Sequence, residues 1–154
     1  MTSTDGASVT ILVVDDDPGH CELIRRNLRR ALVKNVIEMV HDGEEALNYV
    51  HRRGAHTGQA IAERLLLLLD INMPGAVNGL DVLQQIKGNP VTRIIPIIML
   101  TSTDNPREMA RCYELGCNIY ITKPVDAQQF IDAIRRIGLF VDIVSVAPLS
   151  PEGA

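Results

Sequence analysis

The chain has 154 residues, of which 46% are hydrophobic and 22% charged, and its 15 Lys and Arg against 19 Asp and Glu leave a formal charge of -4. A chain of this length buries roughly 68–70% of the surface its unfolded form exposes, so one domain with a real core is expected and a small disulfide-stapled scaffold is excluded. The acidic balance and the small aromatic set (three Tyr, two Phe, no Trp) argue against nucleic acid as a partner, and Leu65–Leu69, the longest run of large aliphatics, falls far short of the ~20 apolar residues a membrane helix needs.

In chain order, apolar runs alternate with amphipathic stretches, the pattern of βα units around a parallel sheet covered on both faces. Val9–Val14 is a nearly continuous apolar run and predicts a strand buried on both sides. Cys21, Ile24, Leu28 and Ala31 then keep the three-and-four spacing of a helix face. Asn35–Val40 reads as a weaker second strand, and Ala46, Leu47 and Val50 mark a second helix. The stretch Arg53–Arg64 exceeds the usual connection of about two to six residues and has room for a loop or a short helical piece.

Five leucines have high helix propensity, yet Leu65–Leu69 is expected to be the third strand. The run is short, ends in an Asp followed by Asn, Pro and Gly, and completes the alternation. Helices fit 79–87, 106–115 and 126–137, with strands at Ile94–Leu100 and Asn118–Thr122. The fold class is therefore α/β, a doubly wound five-stranded parallel sheet in a single domain at 9–137. Residues 1–8 form a tail before it, and 138–154 an apolar extension with a frayed end.

Cys21, Cys112 and Cys117 form no CxxC pair and are expected to be thiols in the core. The histidines carry no evident site, and His51 and His56 lie in a polar stretch beside Arg52 and Arg53. No basic residue precedes the first apolar run, unlike a secretory leader, which points to a cytoplasmic chain.

In an open parallel sheet the functional crevice lies outside the carboxyl ends of the strands. The first strand ends in Asp15-Asp16-Asp17-Pro18, the third in Asp70, the fourth in Thr101 and Ser102, and the fifth runs to Lys123-Pro124. Proline favours the first helical position and keeps the residue before it extended, so Asp17 is the natural N-cap of the first helix. Asp15 and Asp16 remain at the sheet edge with Asp70. Crowded carboxylates repel unless a cation sits among them, and hard oxygens of this kind suit Mg2+. A carboxylate in such a place is able to attack phosphorus, with the metal, a lysine and a hydroxyl spreading the charge of the phosphoryl oxygens.

The segments VVDDDP, LLLLDINMPG, MLTST and YITKP, in this order and spacing, resemble the response-regulator receiver domain over about residues 9–137. The resemblance implies a flavodoxin-like fold with Asp70 as phosphoacceptor. Asp16 would be a direct Mg2+ ligand, Asp15 would reach the metal mainly through water, and Asn72 would contribute its backbone carbonyl. Thr101 and Lys123, with Ser102 beside them, would bind the phosphoryl group. Thr101 and Tyr120 would form the switch, and Lys123-Pro124 a cis peptide. Asn78, in the turn Gly75–Gly79, stands where the family usually has an acidic residue. The long 51–64 connection and the apolar tail look most like regulators paired with bacterial phytochrome kinases.

Residues 138–154, from the expected helix stop at Gly138 onward, are too few for a DNA-binding or catalytic domain. Output through protein contacts is the expectation, with a sensor histidine kinase as phosphodonor and a further protein downstream. Leu139, Phe140, Val141, Ile143, Val144 and Val146 are too apolar for a solvated tail and are expected to cover a homodimer interface or the chain's own surface. Arg25, Arg26, Arg29 and Arg30 form a basic face for kinase docking or for solvent. Rival readings are a Mg2+-dependent aspartyl-phosphate phosphatase and a phosphorylation-independent scaffold. The first would want an acid two residues after its nucleophile, and position 72 is Asn.

Overall fold

A computed structural model describes residues 9–52, 64–102, 105–123 and 125–143, with Phe140 and Val141 by backbone alone. Five strands, β1 (Thr10–Val14), β2 (Ile37–Val40), β3 (Leu65–Asp70), β4 (Ile97–Thr101) and β5 (Ile119–Thr122), form a parallel sheet in the order β2-β1-β3-β4-β5. The helices between them are α1 (Pro18–Arg30), α2 (Gly43–His51), α3 (Gly79–Lys87), α4 (Pro106–Glu114) and α5 (Ala127–Arg136), followed by the single turn α6 (Phe140–Ile143). Among the described residues this is the expected doubly wound α/β fold, a five-stranded parallel sheet with helices on both faces.

The leucine run is continuous because both faces of β3 are covered. Leu66 and Leu68 pack with Ile11, Val13 and Phe130 on the α1 and α5 side, while Leu65, Leu67 and Leu69 pack with Leu12, Val82 and Met99 on the other. Each leucine taken from water contributes roughly 1.5–3 kcal/mol, so β3 anchors both layers. The acid at its end is held by a strand buried along its whole length.

Caps set where the helices begin. Asp17 accepts from the Gly19 and His20 amides and caps α1 ahead of Pro18. Asn78 accepts from the Asp81 amide while the Asp81 carboxylate takes the Asn78 amide, a reciprocal capping box. The residue that departs from the family's usual acid therefore does the work of starting α3.

Several expected boundaries shift. β4 starts at Ile97 rather than Ile94, because Asn89–Pro96 is a turn: Thr92 and Arg93 donate to the Asn89 carbonyl, and Pro96 has no N–H for a ladder. The Lys87 ammonium ties that turn to the sheet through the Arg93 and Ile95 carbonyls (3.0 and 2.7 Å) and Asn118 Oδ1 (3.2 Å), leaving Ile94 80% exposed. β2 starts at Ile37 rather than Asn35, whose side-chain amide turns inward to the Val9 carbonyl at 2.7 Å. The long connection at 53–63, Pro124 and the tail beyond Ile143 lie outside the described residues.

Gly138, at a φ of 81°, ends α5, and the Leu139 amide then reaches back to the Ile134 carbonyl. Leu139 and Ile143 are buried in the chain's own core, and Asp142 is held by Arg64 at 2.8 Å and by Asn35 at 3.2 Å. Part of the apolar extension is thus packed in cis.

Gly79 lets α3 start against the end of β3. A Cβ there would lie 2.2 Å from the Asp70 carbonyl oxygen and 2.7 Å from Ile71 Cα, both backbone atoms that cannot swing aside. Gly79→Ala is predicted to destabilise the domain by about 2 kcal/mol, read as a lowered midpoint in urea unfolding with an unchanged slope.

Candidate functional site

The sheet changes direction at β1, whose neighbours are β2 and β3. The crevice of an open α/β sheet forms at such a point, outside the carboxyl ends of the strands. Ladder hydrogen bonds run past the last strand residues and carry the site groups with them. Asp15 N–H donates to the Val40 carbonyl, Ile71 N–H to the Leu100 carbonyl and Lys123 N–H to the Thr101 carbonyl. Four side chains therefore start from backbone fixed by neighbouring strands.

Asp15 and Asp70 are almost wholly buried, at 0% and 4% exposure, while Asp16 is exposed. Lys123 stands between the two buried acids, with Nζ 2.9 Å from Asp15 Oδ2 and 3.3 Å from Asp70 Oδ2. Burial alone would lower the lysine's pKa, but its hydrogen bond to Asp15 and the charges of Asp70 and Asp15 outweigh that and hold it above its ordinary value. Asp70 is raised above the usual carboxylate value, chiefly by burial; Lys123 opposes the shift and Asp15 reinforces it. Asp15 Oδ1 also accepts from the Asp17 amide at 2.9 Å, which fixes its carboxylate plane.

Asp15, Asp16 and Asp70 offer oxygens that all lie within 4.8 Å of one another. An all-oxygen set with two buried members and one open to water suits a hard divalent ion that keeps part of its hydration. The Asn72 amide donates to Asp70 Oδ1 at 3.4 Å, so the turn after β3 curls back over the acid. Sequence spacing foresaw this gathering of three acids and a lysine.

Thr101 is fully buried, Ser102 is exposed beside Lys123, and Tyr120 is half-buried on β5 opposite Met99. The Thr101 hydroxyl donates to Glu108 Oε1 on α4 at 3.3 Å, and the Tyr120 hydroxyl reaches the same oxygen at 3.4 Å. Glu108 has no counterpart in the expected site; its acidic character at the third position of α4 was the only sequence signal.

His20 was missed as well. One turn into α1, its Nδ1 lies 3.4 Å from Lys123 Nζ and 3.7 Å from Asp15 Oδ2. With Leu23, Ile24, Ser102, Lys123 and Val125 it lines a groove of about 200 Å³ that opens beside the acid cluster. The expected basic face of α1 is smaller than the sequence implies. Arg29 donates to the Val33 and Asn35 carbonyls, and Arg25 and Arg26 pair with Glu22. The three cysteines are free and buried; burial pushes Cys21 and Cys112 up to about 11 and Cys117 to about 12, so they stay protonated core thiols.

The chain belongs to the response regulator receiver domain family, whose pattern matches residues 11–135. It is 32% identical over 127 residues to the probable methanogenesis regulatory protein FilR2 of Methanothrix harundinacea, covering 82% of this chain and 79% of that one. The structure is similar to that of the bacteriophytochrome response regulator RtBRR, at 38% identity and a TM-score of 0.79, covering 94% of this chain and 84% of that one. It is also similar to the Mn(2+)-bound response regulator Rcp1, at 28% identity and a TM-score of 0.70 over 90% of this chain and 96% of that one. A curated match to Rcp1 of Synechocystis sp. spans 140 residues at 27% identity, 91% of this chain and 93% of that protein. The resemblance read from four short motifs thus extends over the whole domain.

A carboxyl held above its ordinary value of 3.8 binds its proton more tightly in the folded than in the unfolded state, so stability falls as pH rises through and above that value. Asp70→Asn in metal-free buffer is therefore predicted to unfold at a higher urea concentration than the parent at pH 7. The advantage should shrink as pH falls toward 4.

Proposed function

We propose that this chain takes a phosphoryl group from a sensor histidine kinase onto Asp70 and signals through protein contacts. The observation that carries this reading is the position of Asp70: buried, at a strand end, between two acids and a lysine 3.3 Å away. Its carboxylate oxygen attacks phosphorus, the P–N bond to the donor imidazole breaks with its electron pair returning to nitrogen, and an acyl phosphate remains. Lys123 offsets charge on the phosphoryl oxygens, and Thr101 and Ser102 donate to them. Asp15, Asp16 and Asp70, with the Asn72 carbonyl, would hold Mg2+, which when bound draws the phosphoryl charge toward itself. Water attacks the acyl phosphate slowly, returning Asp70 to its free state.

Thr101 then turns toward the phosphoryl group and Tyr120 follows, remodelling the α4, β5 and α5 face. The groove lined by His20, Leu23, Lys123 and Val125 is the surface on which the donor helix docks in this reading. Similarity to RtBRR and Rcp1 supports a bacterial phytochrome kinase as donor. No helix among the described residues is long and apolar enough to cross a membrane. In this reading the chain meets such a kinase in the cytoplasm. The Lys123-Pro124 bond is cis in this reading. The receiver domain occupies 9–137, with 1–8 a tail and 138–154 an extension that makes protein contacts rather than binding nucleic acid.

With radiolabelled phosphodonor and Mg2+, Asp70→Asn should take up no label and Asp16→Ala should be labelled at least tenfold more slowly than the parent. Labelling of Asp70→Asn at the parental rate removes Asp70 from the role.

In the same reading the apolar extension also joins two copies. Leu139 and Ile143 serve the chain's own core, and the symmetric contact in this reading uses Phe140, Val141, Val144 and Val146. Truncation after Ile143 keeps the two core residues and should weaken the homodimer by at least tenfold in sedimentation equilibrium. Equal association of both chains assigns the tail a purely internal role.

A further inference from the structure

We infer that Glu108 is a positioning residue that holds the resting state, by occupying the hydroxyl of Thr101 that an acyl phosphate on Asp70 needs. The inference rests on Asp70 as the phosphoacceptor and adds a device that opposes its phosphorylation. Thr101 is fully buried and has one hydroxyl hydrogen to give. In this structure it gives it to Glu108 Oε1 at 3.3 Å, and Tyr120 reaches the same oxygen at 3.4 Å. One carboxylate oxygen thus joins the end of β4, the middle of β5 and the first turn of α4.

A phosphoryl group has only acceptors to offer, so it and Glu108 compete for the same hydrogen. Both are also anionic, and repulsion across a site this poor in water adds to the competition. Each of these two contacts to Glu108 is long beside the ordinary O–H···O distance of about 2.7–2.8 Å, so each by itself is weak. The displaced carboxylate has somewhere to go. Glu108 also lines a groove of about 390 Å³ with Asn72, Met73, Pro74, Asn78 and Leu80. Phosphorylation therefore removes a tether from the first turn of α4, and a partner that draws Glu108 outward strengthens phosphoryl binding by the same factor.

The test uses the full chain with Mg2+ and beryllofluoride, a non-covalent stand-in for the phosphoryl group on Asp70. Glu108→Gln keeps an oxygen that accepts but loses the charge, and Glu108→Ala removes both. Beryllofluoride is expected to bind about five- to tenfold more tightly to each variant than to the parent, while the affinity for Mg2+ alone stays unchanged. The gain should vanish when Glu108→Gln is combined with Thr101→Val or Thr101→Ala, which a merely structural effect of Glu108 would not do. Amide exchange across 105–110 should rise in the parent only with beryllofluoride and stand already raised in Glu108→Ala. Unchanged beryllofluoride affinity in both Glu108 variants, or a gain that persists without the Thr101 hydroxyl, overturns the inference. A parent chain that binds no beryllofluoride overturns the phosphoacceptor reading itself, a distinct result.

Discussion

Two carboxylates with almost no access to water sit at the ends of adjacent central strands, and a single ammonium keeps that arrangement tolerable. Asp15 and Asp70 bring two acidic groups together with almost no solvent exposure, and Lys123 supplies a cation to both from the end of β5. The lysine is closer to Asp15 than to Asp70, so the acid proposed to react is the less neutralised of the two. A divalent ion or a phosphoryl group arriving there meets charge that is already gathered and held.

That crevice depends on packing far from it. β3 carries Asp70 because its leucines lock both layers of the sheet, and α3 starts tightly against its end because Gly79 has no side chain. Lys123 and Thr101 share a ladder hydrogen bond, which ties the cation and the hydroxyl to one backbone register. The end of β4 is in turn connected to α4 and to Tyr120 through Glu108. A change of charge at Asp70 is thereby coupled to the outer face of the sheet through hydrogen bonds between neighbours.

Interactions that cross the fold were the ones hidden from a reading of spacing. Ile94 looked like strand because it sits in an apolar run, yet Lys87, six residues before Arg93, donates to the Arg93 and Ile95 carbonyls of the turn and to Asn118 Oδ1, and Ile94 is left outside. His20 carried no evident site in the sequence, and α1 brings it beside Lys123. Leu139 and Ile143 read as apolar residues in need of cover, and Arg64 and Asn35 show where part of the cover is, by fixing Asp142 over the chain's own core.

The sequence by itself determined the alternation of strands and helices, the strand ends that carry Asp15, Asp16, Asp70, Thr101 and Lys123, and the cap at Asp17. These follow from local chemistry: apolar periodicity, proline geometry and a short acidic side chain before a helix. Only the tertiary structure decided which acid Lys123 approaches more closely, that Glu108 takes the hydroxyls of Thr101 and Tyr120, and which tail residues turn inward. Those choices depend on distances between side chains that lie seven to more than a hundred residues apart in the chain, and only packing sets them.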